Sequence, residues 1–475
     1  MSARQRHPLP WCPLPALLRA LPPGLLEQGL VWLDGDGSPL GQRSYLALAP
    51  LEQRLCRGLP GEAGASDPFA ALAEMEAGGG DWLGWLSYEA GAWLEPADHW
   101  QRPEMAVLWA LRVDPLLVCD HRRQELWLEG RDPQRLQALA ATLEAAIKAA
   151  GDQAAQAGDG ASDDAPNLAL ARWHWHTDPR RFAAQVEALR ERIAGGDLFQ
   201  ANLTACCEQE LSQAPEIGTL LALYGRLRRH CPAPFGGLAI AGGAARGEAV
   251  LSASPERFLQ VQADGLVETR PIKGTRPRRA EASADAAAAA ELMTSPKDRA
   301  ENVMIVDLLR NDLGRVCRPG TVQVPQLVGL ESYRQVHHLT SVVQGQLQSG
   351  LGAAALLRAC WPGGSITGAP KIRACQRLNE LEPVARGPYC GSLFRLEGGG
   401  GFDSNILIRS VFLKERRLRA HGGCGIVADS QPEAEAEELG WKLQPLLEAL
   451  AGPAGGTSQE AREPAARQAA GDAGR

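Results

Sequence analysis

Residues 297–314, KDRAENVMIVDLLRNDLG, constrain the fold of this chain more than any other stretch. They read as one helix, and Val303, Met304, Ile305, Val306, Leu308 and Leu309 make it apolar most of the way round. A helix with so little polar surface is stable only when buried, so the chain must place structure on several sides of it. The 475 residues are enough for a large core and more than one folding unit. A hydrophobic content of 45% and a charged content of 22% are ordinary for a soluble globular protein. The net charge of -7 argues against a general nucleic-acid binder. No run of about 18 apolar residues exists, so no membrane span is expected. Pro8, Pro10, Pro13 and Pro15 interrupt the N-terminus before a secretory signal can form. The eleven cysteines are scattered and show no CxxC pair, which points to free thiols in a reducing cytoplasm.

Taken in order, residues 1–148 read as a mixed α/β region. Leu30–Leu33 and Tyr45–Leu48 are short strands, 107–118 and 125–129 carry further strands, and 132–150 is an alanine-rich helix. Residues 149–168 are rich in Gly, Ala, Asp and Gln and read as a flexible linker. The second region, 169–451, opens with a helix capped by Asp178 that bears the stripe Phe182, Val186, Leu189, Ile193. Ile406–Val411 reads as a strand interrupted by Arg409, and Gly422–Val427 as a glycine turn. Residues 452–475 hold almost nothing apolar and read as a disordered tail.

Candidate chemistry centres on Arg270-Pro-Ile-Lys273-Gly274-Thr275-Arg276. Of the 49 basic residues only six are lysine, the other 43 arginine, and four of the six fall in candidate motifs: Lys273, Lys297, Lys371 and Lys442. Lysine can lose its proton and attack carbon, whereas arginine stays charged. Arg270 and Arg276 would lower the Lys273 pKa if the turn folds them inward; an ordinary exposed lysine is the alternative. Asp298 and Glu301 lie i, i+3 in the first turn of the apolar helix. Glu435 and Glu438 repeat that spacing near the C-terminus, at the start of a helix from Gln431. Together they offer an all-oxygen site for Mg²⁺, or acids placed to suit two helix dipoles. The glycine-rich run 361–373 places Ser365 and Thr367 among free backbone N–H groups, near Lys371, as an anion cradle or a packed turn. Arg409 wants either a bound carboxylate or an internal ion pair. His337 and His338 offer an acid or base, or ordinary hydrogen-bonded side chains.

Seven stretches together resemble the chorismate-utilising enzymes, in that family's order: SPERF (254–258), RPIKGT (270–275), KDRAENVMIVDLLRNDLGR (297–315), VHHL (336–339), PGGSITGAPK (362–371), IRS (408–410) and GGCGIVADS (422–430). The resemblance implies one large α/β (α+β) sandwich of antiparallel sheets with flanking helices. It points to the branch that aminates chorismate at C4 towards 4-aminobenzoate and folate. Members aminating at C2 carry alanine where this chain has Lys273, and they remain the alternative, with an inactive amino-acid-sensing subunit as a second. The resemblance makes Lys273 a covalent nucleophile and Glu256 a general acid/base. Glu301 and Glu438 become Mg²⁺ ligands, with Asp298 and Glu435 at the accompanying carboxylate positions. Gly274, Thr275, His338, Ser365, Thr367, Tyr389, Arg409, Gly423, Cys424, Gly425 and Lys442 fall at substrate-binding positions. An amino-acid effector pocket in the N-terminal region would be walled by Arg43, Ser44, Tyr45, Pro234, Phe235 and Gly236. No cysteine sits in a nucleophile-elbow context, so the ammonia is expected from a separate glutamine amidotransferase subunit, and the setting is cytoplasmic.

Overall fold

The structure, a computed structural model, describes residues 4–157, 168, 172–333 and 336–452. Two antiparallel sheets dominate it, of twelve and ten strands. The order in the larger is Gln5–Leu9, Glu125–Gly130, Leu116–Asp120, Arg43–Ala47, Leu30–Asp34, Gly236–Ile240, Glu248–Ser252, Ser410–Lys414, Arg417–Ile426, Gln200–Glu210, Gly368–Ala369, with His174–Trp175 beside Gln200–Glu210. In the smaller it is Ile272–Pro277, Val336–Gln346, Leu266–Thr269, Arg257–Val261, Phe402–Asn405, Ser392–Leu396, Asp81–Leu86, Leu108–Val113, Glu52–Cys56, with Gln323–Ser332 beside Val336–Gln346. Both sheets therefore mix early and late segments. Leu30–Asp34 pairs with Gly236–Ile240, and Asp81–Leu86 pairs with Ser392–Leu396.

Strand alternation sorts side chains into two cores. Val31, Ala47 and Val250 join a core shared with the smaller sheet, where Trp85 and Trp109 pack 4.8 Å apart. Their neighbours Leu30, Trp32, Leu46 and Leu251 point the other way, onto the helices Leu14–Ala20, Pro133–Ala157, Pro179–Ala194, Ile217–His230 and Pro432–Ala451. The helix Pro296–Gly314 buries Ile305, Val306, Leu309 and Leu313 in the shared core, as its composition requires. Ser295 caps it, its hydroxyl accepting from the Asp298 N–H at 3.3 Å. Val303 stays 41% exposed, so the burial is less complete than the apolar run suggested.

Two short connections cross between the sheets side by side. Ala253–Glu256 leads from Glu248–Ser252 into Arg257–Val261, and Ile406–Arg409 leads from Phe402–Asn405 into Ser410–Lys414. Ala253 N–H donates to the Arg409 carbonyl at 3.0 Å and Ile406 N–H to the Glu256 carbonyl at 3.0 Å. The expected strand Ile406–Val411 thus begins only at Ser410, because Arg409 takes a left-handed conformation (φ 49°) that turns the chain. Gly422–Val427 is likewise not a turn: residues through Ile426 are strand, paired along Gln200–Glu210.

The helix Pro133–Ala157 runs through residues 149–157, the first part of the expected linker; apart from Leu168, the rest of that segment lies outside the described residues, as do residues 453–475 of the expected tail. Among the described residues no helix is long and apolar enough to cross a membrane.

Candidate active site

Lys273 is carried by a strand, not a turn. Ile272–Pro277 pairs with Val336–Gln346, with Lys273 opposite Leu339, Thr275 opposite His338, and a bulge between them. Gly274 makes that bulge at φ 74°, and a Cβ there would stand 2.8 Å from Leu292 Cδ1 and 2.9 Å from Asp298 Cγ. The bulge swings Lys273 inward. Its Nζ donates to the Ser365 carbonyl at 3.3 Å and stands 4.0 Å from Glu301 Oε2, with the side chain 12% exposed. Arg270 and Arg276 do not flank it as the sequence suggested. Arg270 is paired with Glu331 and Glu268, and Arg276 with Glu291 (3.1 Å) and Asp298 (3.4 Å). Both guanidiniums are held by carboxylates of their own.

Glu256 occupies the first sheet crossing and is 4% exposed. Burial pushes its carboxyl up to about 7, against hydrogen bonds from Ser365 and the Ile272 backbone and the charge of Lys273. The Ser365 hydroxyl is thus turned to Glu256. Thr367 is fully buried, and its hydroxyl donates to the Gly363 carbonyl at 2.8 Å, closing the turn. Lys371 does not enter the cradle; it is held by Asp312 at 2.6 Å and the Cys360 carbonyl at 2.9 Å.

The four acidic residues come from two helices that approach at one end. Lys297 bonds Glu435 at 3.0 Å, Lys442 bonds Glu438 at 2.7 Å, and ligand atoms of Cys424, Glu435 and Glu438 lie within 4.8 Å of one another. Burial raises Glu301, and the nearby charges of Asp298 and Glu435 add to it against Lys273 and Lys297. Asp298 is also paired with Arg276, so the open feature of the group is its gathered carboxylate oxygens, the donors a hard divalent cation takes. Burial pushes the Cys424 thiol up to about 12, and its Sγ donates to the Glu435 carbonyl at 3.4 Å, so the ionised donors offered are oxygen. Glu435 and Glu438 offer carboxylate oxygens of the kind Mg²⁺ takes, while Asp298 and Glu301 stand outside that 4.8 Å group.

Gly425 faces this group. A Cβ there would lie 3.4 Å from Glu301 Oε2, 3.7 Å from Lys273 Nζ and 2.8 Å from Gln200 Nε2. Gly423, two residues back on the same face, meets Asn202 and Thr204, and its carbonyl accepts from Lys442 at 2.7 Å. Tyr389 is buried and stacked on His421 at 4.9 Å. His338 shares a 2.8 Å hydrogen bond with Thr275. Burial, with the charge of Arg409 beside it, drives His338 down to about 3, so it is too weak a base to hold a proton near neutrality. Arg409 makes no ion pair among the described residues; burial pulls it below the usual guanidinium range, and its charge is left for a ligand.

Gln200 was not singled out from the sequence. It is 1% exposed, its Oε1 has no hydrogen-bond partner among the described residues, and its amide nitrogen points at Gly425. The signal available was the alternation Gln200, Asn202, Thr204 against Ala201, Leu203, Ala205 in a buried strand.

The expected effector walls also gather. A cavity of about 240 Å³ opens between the sheets, bounded by Arg43, Tyr45, Pro234, Phe235 and Gly236, with Arg257 and Arg395 across from them. Ser44 is the exception. Its hydroxyl donates to Asp34 at 3.0 Å and contacts His121 at 2.7 Å, because alternation turns it to the opposite face from Arg43 and Tyr45.

The chorismate binding enzyme family model matches residues 49–448 of the chain. The chain belongs to the chorismate binding enzyme family. Aminodeoxychorismate synthase component 1 of Klebsiella aerogenes is 39% identical over 375 residues, 78% of this chain and 76% of that protein. Aminodeoxychorismate synthase of Streptomyces pristinaespiralis is 37% identical over 80% of this chain but only 52% of its own length. The crystal structure of anthranilate synthase component I from Streptococcus pneumoniae TIGR4 has a TM-score of 0.68 at 29% identity, covering 86% of this chain and 92% of that one. The antiparallel sandwich with flanking helices is thus the fold of a chorismate binding enzyme, as the motifs implied.

Proposed function

We propose that this chain aminates chorismate at C4, as an aminodeoxychorismate synthase component 1, with Lys273 as a covalent nucleophile. One observation carries the reading. The bulge at Gly274 aims a largely buried lysine amine at the space over Gly425, between Glu256 and Glu301. Alanine, which the C2-aminating branch carries there, would leave that space without a nucleophile.

The amine of Lys273 attacks C2 of chorismate, both ring double bonds shift towards C4, and the C4 hydroxyl leaves as water with a proton from Glu256. Ammonia then adds at C4, both double bonds shift back, Lys273 departs from C2 with its electron pair restored, and the new C4 ammonium returns a proton to Glu256. Splitting the displacement in two lowers each barrier. A carboxyl held near 7 can give and retake that proton at neutral pH. Arg409 grips a substrate carboxylate, and the bare faces of Gly423 and Gly425 let the ring approach the strand. Mg²⁺, when bound by Glu301 and Glu438 with Asp298 and Glu435 beside them, would offset the charge of the ring carboxylate. A separate glutaminase subunit supplies the ammonia in the cytoplasm, and the expected effector is an amino acid in the 240 Å³ cavity.

The test is product identity. Purified protein with chorismate, Mg²⁺ and ammonium salt should yield 4-amino-4-deoxychorismate by mass, and excess EDTA should stop it. Direct appearance of fluorescent anthranilate would overturn the assignment.

A further inference from the structure

Ser365 meets both reacting groups. Its carbonyl accepts from Lys273 Nζ at 3.3 Å, and its hydroxyl is turned to Glu256. How the amine and the acid face each other therefore depends on where this one residue stands. It lies in Gly364–Ile366, a single 3₁₀ turn of three residues, too short to hold a fixed position by its own hydrogen bonds. The turn is anchored from outside. Asn202 N–H, on the strand Gln200–Glu210, donates to the Thr367 carbonyl at 2.6 Å. Arg386 joins the same two segments through their carbonyls: its Nη1 donates to Ile366 at 2.9 Å and its Nη2 to Asn202 at 2.8 Å.

Glu382 holds Arg386 in turn. The Arg386 Nε and Nη2 donate to the two Glu382 oxygens at 2.8 and 2.6 Å, and Glu382 also accepts from the Thr204 N–H at 3.0 Å. The two residues are 2% and 4% exposed, and the guanidinium lies over the Tyr88 ring at 4.5 Å. Two charges buried so deeply are a poor source of stability, since apolar residues of similar volume often serve as well or better. What apolar residues could not supply is the set of bonds to the backbone of Thr204, Asn202 and Ile366. The first two belong to the strand that packs on Gly423, and the third adjoins Ser365.

We propose that Arg386, set by Glu382, is a positioning residue: it clamps Ile366 to the strand Gln200–Glu210 and so fixes Ser365 where Lys273 and Glu256 address the same substrate. This rests on the amination reading. It predicts that loosening the clamp slows the covalent step more than it weakens substrate capture, because Arg409 stands on a different connection.

The experiment follows single-turnover formation of the Lys273 adduct over a range of chorismate concentrations with Mg²⁺, beside urea melts of each protein. Two variants release the clamp in different ways. Arg386→Lys keeps a charge opposite Glu382, but three ammonium donors cannot serve two carboxylate oxygens and two carbonyls. Arg386→Met with Glu382→Leu removes the pair together and leaves no charge unpaired. In both, the saturating rate of adduct formation should fall about tenfold or more, while half-saturating chorismate stays within about twofold of wild type. A saturating rate equal to wild type in either folded variant overturns the clamp. So does a rise in half-saturating chorismate at an unchanged rate, which would make the pair a support for the binding strand only. Failure of both variants to fold would assign the pair to stability alone and overturn it as well. Absence of both adduct and aminated product in the wild type would instead sink the amination reading itself.

Discussion

Two polar sites lie in this sandwich, and they treat charge in opposite ways. In the 240 Å³ cavity the buried charges are paired within the protein, although the Arg395 Nε has no hydrogen-bond partner among the described residues. Asp34 accepts from Tyr224 at 3.0 Å and Arg228 at 2.7 Å as well as from Ser44, Arg257 holds Asp403 through two 3.0 Å bonds, and Arg395 reaches Glu397 at 3.0 Å. Around Lys273 the balance is left open. Among the described residues Arg409 has no carboxylate and the Gln200 Oε1 has no donor, and burial leaves Glu256 near 7 and Glu301 raised. Unpaired buried polarity costs stability and persists where a ligand completes it. The first site is built to hold its own shape; the second is built to be finished by substrate and metal.

Replacing Glu256 should expose the largest imbalance. Its folded pKa of about 7 exceeds the ordinary 4.5. Below 4.5 both folded and unfolded chains hold the proton; between 4.5 and 7 only the folded chain does, so stability falls as pH rises and levels off above about 7. Glu256→Gln removes this slope, and wild type should lose roughly 3 kcal/mol relative to the variant across that window. Denaturant melts at pH 4.5 and 8 measure it. Parallel pH profiles for the two proteins would place Glu256 among satisfied groups.

The satisfied site should respond through stability alone. Arg228→Met leaves Asp34, whose side chain is 5% exposed, without its cation. It should cost about 2–3 kcal/mol in urea melts with the chorismate KM intact. Arg409→Met should do the reverse, weakening chorismate by about 2 kcal/mol as a KM increase while the melting temperature holds or rises, because no ion pair is lost. A fall in melting temperature of the Arg409 variant matching that of Arg228→Met would erase the contrast between the sites.

The sequence made the charged residues of the second site legible and their partners illegible. Lys273, Glu256 and the two carboxylate pairs stand in motifs, and the burial of helix 296–314 followed from its own side chains. The bulge at Gly274 was hidden because a glycine beside a lysine reads equally as a turn. Arg270 and Arg276 looked like neighbours of Lys273 at three residues' distance, yet their carboxylates, Glu331 and Glu291, come from segments no local pattern joins to them. Ser44 was misassigned to the cavity for a simpler reason: adjacent strand residues face opposite ways. Arg409 looked like part of a strand because aliphatics flank it, and only the sheet crossing reveals its turn. Gln200 stayed unnoticed since its role depends on what Gly425 lacks.

Lys273 Nζ is the atom proposed to bond to substrate. Wild-type protein is incubated with chorismate and Mg²⁺ without ammonia, digested, and its peptides mapped by mass. A gain equal to chorismate less one water should appear on the peptide holding Lys273, disappear on adding ammonium, and be absent from Lys273→Ala. If Lys273→Ala forms 4-amino-4-deoxychorismate at the wild-type rate, the lysine is not the nucleophile.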